Sequence, residues 1–292
     1  MFKRQKTGSV VCTSCGSLVG VNDDRCYNCG RRNPGLWGFG PMLRRFGNDL
    51  GFIELVVYGC SILYVSMLIV TMLTGGDILG GGNLFGILAP NDVAALAFGA
   101  SGAFPVVQLG MWWTVLSAGW LHGGILHILF NMLWVRQLGP AVADLYGAGR
   151  MVIIYTVASV TGFVISTAAG YFLWWLPIPF LRGAGMTLGA SAPIFGLLGA
   201  LVYYGRRGGS SMIGGQALQY ALILGIFGFI MQGIDNYAHG GGFLGGYLAA
   251  RWLDPLKSER MDHLVMAVAC IALTALAILA SLLTVFGQLL LR

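Results

Sequence analysis

The stretch "LGASAPIFG" (188–196) places one serine and one proline inside an apolar part of the chain. A buried hydroxyl without a partner costs free energy, and a proline in a helix interior costs more. The cost of the proline vanishes if Ser191 lies at or next to the start of a helix, because Pro193 then occupies the first turn, where its missing N–H breaks no hydrogen bond. Gly189 and Ala190 would leave room there for another backbone. We therefore expect a helix to start here, with Ser191 as a candidate functional residue.

The composition of the whole chain is that of a membrane protein. Of its 292 residues, 57% are hydrophobic and 10% are charged, with a mean hydropathy of +0.76, whereas soluble domains carry about 25% charged residues. We expect an all-α polytopic membrane protein without a removable signal peptide. Seven segments are apolar enough to be predicted as membrane spans. They are 52–74, 119–138, 151–173, 189–205, 215–232, 236–253 and 264–287.

The basic residues predict the orientation of the chain. With the N-terminus in the cytoplasm and seven spans, every Lys and Arg lies on the cytoplasmic side except Arg182 and Arg292, as the positive-inside rule requires. The net charge of +6 then reflects arginines that face anionic lipid, and no nucleic acid is expected as a partner. The predicted location is a bacterial inner (plasma) membrane. Segment 75–118 is too long for a simple turn and predicts a structured loop at the interface.

Four of the six cysteines form the pattern C-x2-C-x10-C-x2-C near the N-terminus. Each pair can turn two thiolates toward one tetrahedral Zn²⁺, and the glycine after each pair allows a sharp turn. Two disulfides, or four unrelated thiols, are the alternatives. We predict a structural zinc ribbon over residues 1–36, which needs its metal because so short a segment has little apolar core. The predicted ligands are Cys12, Cys15, Cys26 and Cys29.

Two further regions are expected after the ribbon. We predict that residues 37–50 form a basic juxtamembrane linker and that residues 51–292 form a transmembrane domain. The ribbon would either bind a cytoplasmic protein partner or simply stabilise the chain. Its intact thiolates agree with a reducing cytoplasm.

Several polar side chains fall within the predicted spans, where such groups are costly and mark functional sites. They are His122, His127, Asn131, Ser191, Asn236 and His239. Each one alone has a structural explanation, because a serine bonds back to its own helix and a histidine or asparagine can join two helices. The predicted orientation places them all toward the outer half of the membrane. Together, a serine, a histidine base and further donors form a complete set for acyl transfer.

Four motifs together resemble the rhomboid family of intramembrane serine proteases, over residues 51–292. They are "GASAPIFG", "HGGILHILFN", "AHGGGFLGG" and "LGPAVADLYGAGR" (138–150). The resemblance implies a six-helix core with one extra C-terminal transmembrane helix. It also implies an endopeptidase that cuts transmembrane or juxtamembrane segments of proteins with single membrane helices, without a cofactor for catalysis. The alternative is an inactive relative that binds or escorts membrane helices.

The resemblance also assigns roles to individual residues. Ser191 would be the nucleophile and His239 its general base, while His127 and Asn131 would stabilise the oxyanion. Phe195 would pack on the catalytic histidine. Gly242 would let the fourth and sixth spans approach closely. The residues expected to support the site are His122, Gly189, Phe195, Asn236 and Gly242.

Two positions depart from the family's pattern. Ala192 directly follows the serine, where the family commonly has glycine. The loop before the second span often carries a Trp-Arg pair, and here it reads Trp112-Trp113. Because Ser191 and His239 are both present, the resemblance favours an active enzyme.

Overall fold

The computed structural model describes residues 4–43, 47–78, 87–178, 181–231 and 233–290. Residues 44–46 of the predicted linker, and residue 232 at the end of the fifth predicted span, lie outside these ranges. The strands are β1 (Ser9–Val11) and β2 (Leu18–Gly20). The α-helices are α1 (Gly40–Leu43), α2 (Phe52–Leu73), α3 (Asp92–Phe98), α4 (Thr114–Ser117), α5 (Ile125–Tyr146), α6 (Ala148–Phe172), α7 (Ser191–Arg207), α8 (Ser211–Ile230), α9 (Asn236–Leu253) and α10 (Met261–Leu290).

The N-terminal region folds around a small β-hairpin. Strands β1 and β2 pair antiparallel, with Val10 opposite Val19. Both valines are buried together with Val21 and two of the cysteines, Cys12 and Cys26. Five buried side chains make a very small core, which agrees with the expectation that this region needs a metal ion to stay folded.

Each of the seven predicted spans corresponds to one long helix, but the second was placed wrongly. It was predicted at 119–138, whereas α5 begins at Ile125 and ends at Tyr146. A short helical turn ending at Trp120 precedes α5 and is bent from it by 92°. At the other end, α5 continues past residue 138 and through Pro140. Pro140 is exposed, so its ring meets no buried neighbour.

The lengths and compositions of the described helices agree with a polytopic membrane protein. Four of them are long and apolar enough to cross a bilayer, namely α2, α6, α8 and α10, and α4 with α5 makes a fifth if the bent pair is one span. Helix α7 has only 17 residues, and every residue from 192 to 202 is buried. The all-α polytopic architecture is confirmed, and the exact number of seven spans stays a prediction.

Helix α7 occupies the centre of the bundle. It packs against α5, α6, α8 and α9, while α6 also packs along α9. The last helix, α10, lies against α6, α3 and α4. At that contact the indole N–H of Trp113 donates to the buried Ser281 hydroxyl, 3.0 Å away. Trp113, which departs from the family's pattern, therefore binds the C-terminal helix α10 through this hydrogen bond.

The N-terminal hairpin region contacts the connection between α9 and α10 through a buried ion pair. The Arg31 guanidinium lies 3.4 Å from the Glu259 carboxylate, and the two side chains are 0% and 4% exposed. The same carboxylate accepts the backbone N–H of Arg150 in the first turn of α6, at 3.1 Å. The Ser14 hydroxyl donates to the Glu259 carbonyl, at 3.4 Å. Glu259 thus joins the cysteine-rich region to the start of α6.

Replacing Glu259 with alanine should destabilise the protein strongly. The substitution leaves the Arg31 guanidinium buried without a counter-charge, which typically costs about 3–5 kcal/mol of unfolding free energy. The matched control is Arg260→Ala, which breaks the exposed pair with Asp262 and should change little. The melting temperature of the purified protein in detergent measures both effects. Equal melting of wild type and Glu259→Ala would contradict this account of the interface.

Candidate active site and metal centre

Ser191 is the first residue of α7, as expected from the sequence. The chain reaches it through Gly189, whose φ of +137° suits only glycine. The Gly189 N–H donates to the Ala118 carbonyl at 2.9 Å, which fixes the approach to the helix. Pro193 is the third helical residue, where an N–H would have no partner within the helix. The proline therefore sits in α7 without breaking its hydrogen bonds.

The side chain of Ala192 packs into the bundle beside the serine. It is fully buried in a small cluster with Ala118, Phe163 and Ala238. Gly162 on α6 provides the space, because a Cβ added there would lie 2.8 Å from the Ala192 Cβ. A methyl group at position 192 is thus accommodated between α6 and α9, and glycine is not required.

His239 lies in the first turn of α9 and is 8% exposed. Its ring stacks on that of Phe195, with centroids 4.3 Å apart and planes within 15°. Phe195 is four residues after Ser191 and therefore lies on the same face of α7. The stacking places the imidazole on the face of α7 that carries the serine. Between the described residues, no hydrogen bond of 3.5 Å or less joins Ser191 and His239; catalytic hydrogen bonds often tighten only when substrate binds.

His127 lies beside the backbone that leads to the serine. A Cβ added to Gly189 would be 2.7 Å from His127 Nε2 and 3.7 Å from Ser191 Oγ. His127 Nδ1 accepts the backbone N–H of Gly123, at 3.3 Å. An imidazole that accepts at Nδ1 carries its proton on Nε2 when neutral. His127 therefore presents an N–H donor close to Ser191.

Two further polar residues of the second predicted span lie next to His127. The buried Asn131 uses one amide N–H to donate to the His127 carbonyl, at 2.8 Å. An amide nitrogen has a second N–H, which this bond leaves for another acceptor. The His122 ring is fully buried and lies edge-on to the His127 ring, with centroids 5.2 Å apart. It therefore limits how far the His127 ring can move.

Asp235 is a site residue that the sequence analysis did not single out. Its Oδ1 accepts the N–H of Ala238 at 3.0 Å, which caps α9. Its Oδ2 accepts the hydroxyl of Ser166 on α6 at 2.5 Å. An aspartate three residues before that N–H, at the start of an apolar segment, is a typical N-cap signal. The signal was present in the sequence, but it was not used.

Asn236 contacts a different helix. Its amide N–H donates to the carbonyl of Gly228 on α8, at 2.9 Å. This bond ties the start of α9 to the end of α8. The predicted support of His239 by Asn236 stays a prediction.

Helices α7 and α9 approach closely because glycines face each other's backbone. A Cβ added to Gly242 would lie 2.7 Å from the carbonyl carbon of Ala192, and one added to Gly246 would overlap Gly196. Real Cβ atoms essentially never lie closer than 3.0 Å to such a neighbouring atom. Helices α7 and α9 therefore lie in close contact at Gly242.

The four N-terminal cysteines lie on two similar turns. The Gly16 N–H donates to the Cys12 carbonyl at 3.1 Å, and the Gly30 N–H to the Cys26 carbonyl at 2.9 Å. Both glycines have positive φ, +76° and +71°, as expected after a metal-binding pair. All four sulfurs lie within 4.8 Å of one another.

The sulfur positions fit a metal ion better than disulfides. Cys12 and Cys29 have sulfurs 3.8 Å apart, and Cys15 and Cys26 3.6 Å, whereas a disulfide needs about 2.05 Å. Tetrahedral Zn²⁺ with Zn–S bonds of about 2.3 Å separates its ligands by about 3.8 Å. The cluster can therefore hold a metal ion.

The local environment separates the acidities of these thiols. Burial raises the pKa of the Cys12 thiol to about 12. Burial also raises the pKa of Cys15, but hydrogen bonds with the Ser17 hydroxyl and N–H outweigh it and lower the pKa to about 6. The Cys15 thiol is therefore more acidic than the Cys12 thiol.

The fold and this site define a class of protein: an all-helical polytopic membrane protein with histidines gathered around a serine at a helix start. The Rhomboid domain family matches residues 109–256, just over half of the chain. The chain belongs to the rhomboid family.

Three relatives illustrate the match. Rhomboid protease GluP of Bacillus subtilis is 37% identical over 187 residues, 63% of this chain and 34% of that protein. RHOMBOID-like protein 4 of Arabidopsis thaliana is 30% identical over 170 residues, 56% of this chain and 39% of that protein. Rhomboid protease GlpG of Pectobacterium atrosepticum is 30% identical over 164 residues, 54% and 52%. The chain thus spans between a third and about half of the length of these curated relatives.

A methyl group at Gly242 should disturb the contact between α7 and α9. Gly242→Ala forces the two backbones apart, and overpacking of this kind costs about 1–3 kcal/mol. Gly240→Ala is the matched control, because nothing lies within 4 Å of a Cβ added at that neighbouring helical position. Both variants gain the same helix propensity, so the difference in their melting temperatures isolates the packing effect. Identical melting temperatures would contradict the close approach.

Proposed function

We propose that this chain is an intramembrane serine endopeptidase with Ser191 as nucleophile and His239 as general base. The observation that carries the proposal is the stacking of the His239 ring on Phe195, one turn after Ser191. It brings a serine and a histidine from two helices to one place. Two of the relatives are named rhomboid proteases, which supports the same reaction here.

The proposed reaction needs only this chain's side chains and water. The His239 imidazole takes the proton of the Ser191 hydroxyl while the oxygen attacks the scissile carbonyl carbon. The imidazolium then gives that proton to the leaving amine as the C–N bond breaks, leaving an ester on Ser191. Water, deprotonated by His239, attacks the ester and releases the acid product and the free hydroxyl.

The negative oxygen formed during each attack needs hydrogen-bond donors. His127 supports this role because its Nε2–H lies near the backbone before Ser191. Asn131 would contribute the amide N–H that its bond to His127 leaves unused. The backbone N–H of Ser191 would be a third donor, at a helix N-terminus that favours negative charge.

The substrates we propose are membrane proteins with a single transmembrane helix. A helical backbone hides its carbonyls in internal hydrogen bonds, so the segment to be cut must first unwind. Helix-breaking residues near the cleaved bond should therefore favour cleavage. Helices α5, α7 and α9 each carry their site residues near their first turn, which agrees with a site that opens toward the extracytoplasmic side of a bacterial inner membrane.

For the N-terminal region we propose a structural Zn²⁺ bound by Cys12, Cys15, Cys26 and Cys29. Four thiolates in a closed tetrahedral set leave no position for a substrate, so the ion would serve the folding of residues 1–36. A cytoplasmic protein partner for this ribbon stays a prediction.

Ser191→Ala should abolish both cleavage of a single-span substrate and covalent labelling by a fluorophosphonate probe. Ser211→Ala is the matched control, since Ser211 is also the first residue of a long helix and should leave both activities intact. His239→Ala should slow labelling by about 10²–10⁴-fold, the usual contribution of a general base. If wild-type Ser191 stays unlabelled while single-span helices still bind, the chain is a non-catalytic helix binder instead.

The purified chain should contain one zinc ion per molecule, measured by elemental analysis. Replacing Cys12 and Cys15 together with serine should remove the zinc, because two of four ligands are lost. Cys60→Ser with Cys270→Ser is the control, since both cysteines lie in the membrane helices. Zinc content that survives loss of Cys12 and Cys15 would contradict the proposed site.

A further inference from the structure

The His239 ring is held by stacking on Phe195 and not by a hydrogen bond at Nδ1. The ring nitrogen Nδ1 is buried and has no hydrogen-bond partner among the described residues. No acidic acceptor therefore fixes the ring in the way that serine hydrolases with a third member use. Stacking on Phe195 limits the tilt of the ring. We therefore expect the backbone of the first turn of α9 to determine where the ring lies along the helix axis.

That first turn is held by Asp235. The His239 N–H donates to the Asp235 carbonyl, at 3.1 Å. The Asp235 carboxylate caps the same turn through Ala238 and reaches across to α6, where it accepts the hydroxyl of Ser166 at 2.5 Å. Ser166 is fully buried in the long helix α6. A hydrogen bond from a hydroxyl to an ionised carboxylate is shorter and stronger than a neutral one.

We infer that Asp235 is a positioning residue for the proposed reaction. Its two carboxylate oxygens lock the first turn of α9 to Ser166 on α6, and so hold the His239 imidazole at the height where it can take the Ser191 proton. The inference rests on the proposed function, because it gives Asp235 a role only if His239 acts on Ser191. Asp235 itself touches neither substrate nor the reacting atoms.

The neighbouring contacts do not supply the same restraint. Asn236 ties α9 to α8 through Gly228, and α8 has few contacts with the rest of α9. The half-buried Tyr237 donates to the Leu181 carbonyl in the loop before α7, at 2.9 Å. Among the hydrogen bonds of the described residues, only that of Asp235 with Ser166 joins this turn to α6, and α6 packs along both α7 and α9.

Four variants test the inference. Asp235→Ala removes both bonds, and Ser166→Ala removes only the bond to α6. Asp235→Asn keeps an oxygen that can accept from either partner. Asn91→Ala is the matched control, because Asn91 caps α3 by the same bond, to Ala94 N–H at 2.9 Å, away from the serine. The readouts are the rate of Ser191 labelling by a fluorophosphonate, kcat and KM for a single-span substrate, and the melting temperature.

We expect Asp235→Ala to slow labelling and kcat by about ten- to a hundredfold, the effect of moving a catalytic group by about 1 Å. KM should change less than about twofold, since substrate binding does not use this turn. Ser166→Ala should act in the same direction, which keeps the test informative if Asp235→Ala does not fold. Asp235→Asn should recover most of the rate. Asn91→Ala should lower only the melting temperature.

Two results would overturn the inference while leaving the proposed function intact. One is a labelling rate for Asp235→Ala and Ser166→Ala equal to that of wild type and Asn91→Ala. The other is an Asp235→Asn variant as slow as Asp235→Ala, which would show that charge rather than hydrogen bonding matters. A wild-type Ser191 that does not react at all would overturn the proposed function and this inference with it.

Discussion

The whole arrangement depends on how closely three helices can approach one another. Helices α6, α7 and α9 meet where Gly162, Ala192 and Gly242 face each other, and no larger side chain than a methyl group fits between them. In a membrane, helices are held together by such close contact and by hydrogen bonds, because the surrounding lipid is as apolar as the helices. The same contact brings the start of α7 and the first turn of α9 side by side. The packing and the site are therefore one feature of the structure.

Several properties of the fold could be predicted because each follows from local chemistry. The start of α7 at Ser191 follows from Gly189 and Pro193, whose backbone preferences act over a few residues. The cysteine turns follow in the same way from two C-x2-C pairs, each with its glycine. The apolar segments predicted seven helices, because a bilayer requires about 20 apolar residues per span. All of these are short-range signals.

Other features depended on residues far apart in the sequence and could not be predicted. The end of α5 was predicted at residue 138, whereas the helix continues through the exposed Pro140 to Tyr146. The bond from Asp235 to α6 could not be predicted because its partner, Ser166, lies on another helix. The roles of Ala192 and Trp113 likewise became clear only from their partners, Phe163 and Ala238 for the first and Ser281 for the second.

The ion pair between Arg31 and Glu259 also has a consequence for biosynthesis. The two residues are 228 positions apart, so the ribosome makes the arginine long before the glutamate. The N-terminal region can fold around its cysteines early, but it cannot dock until α9 has been inserted and Glu259 has emerged. Until then, Arg31 has no counter-charge and stays in water. Formation of this pair therefore requires that the helices carrying Ser191, His127 and His239 are already in place.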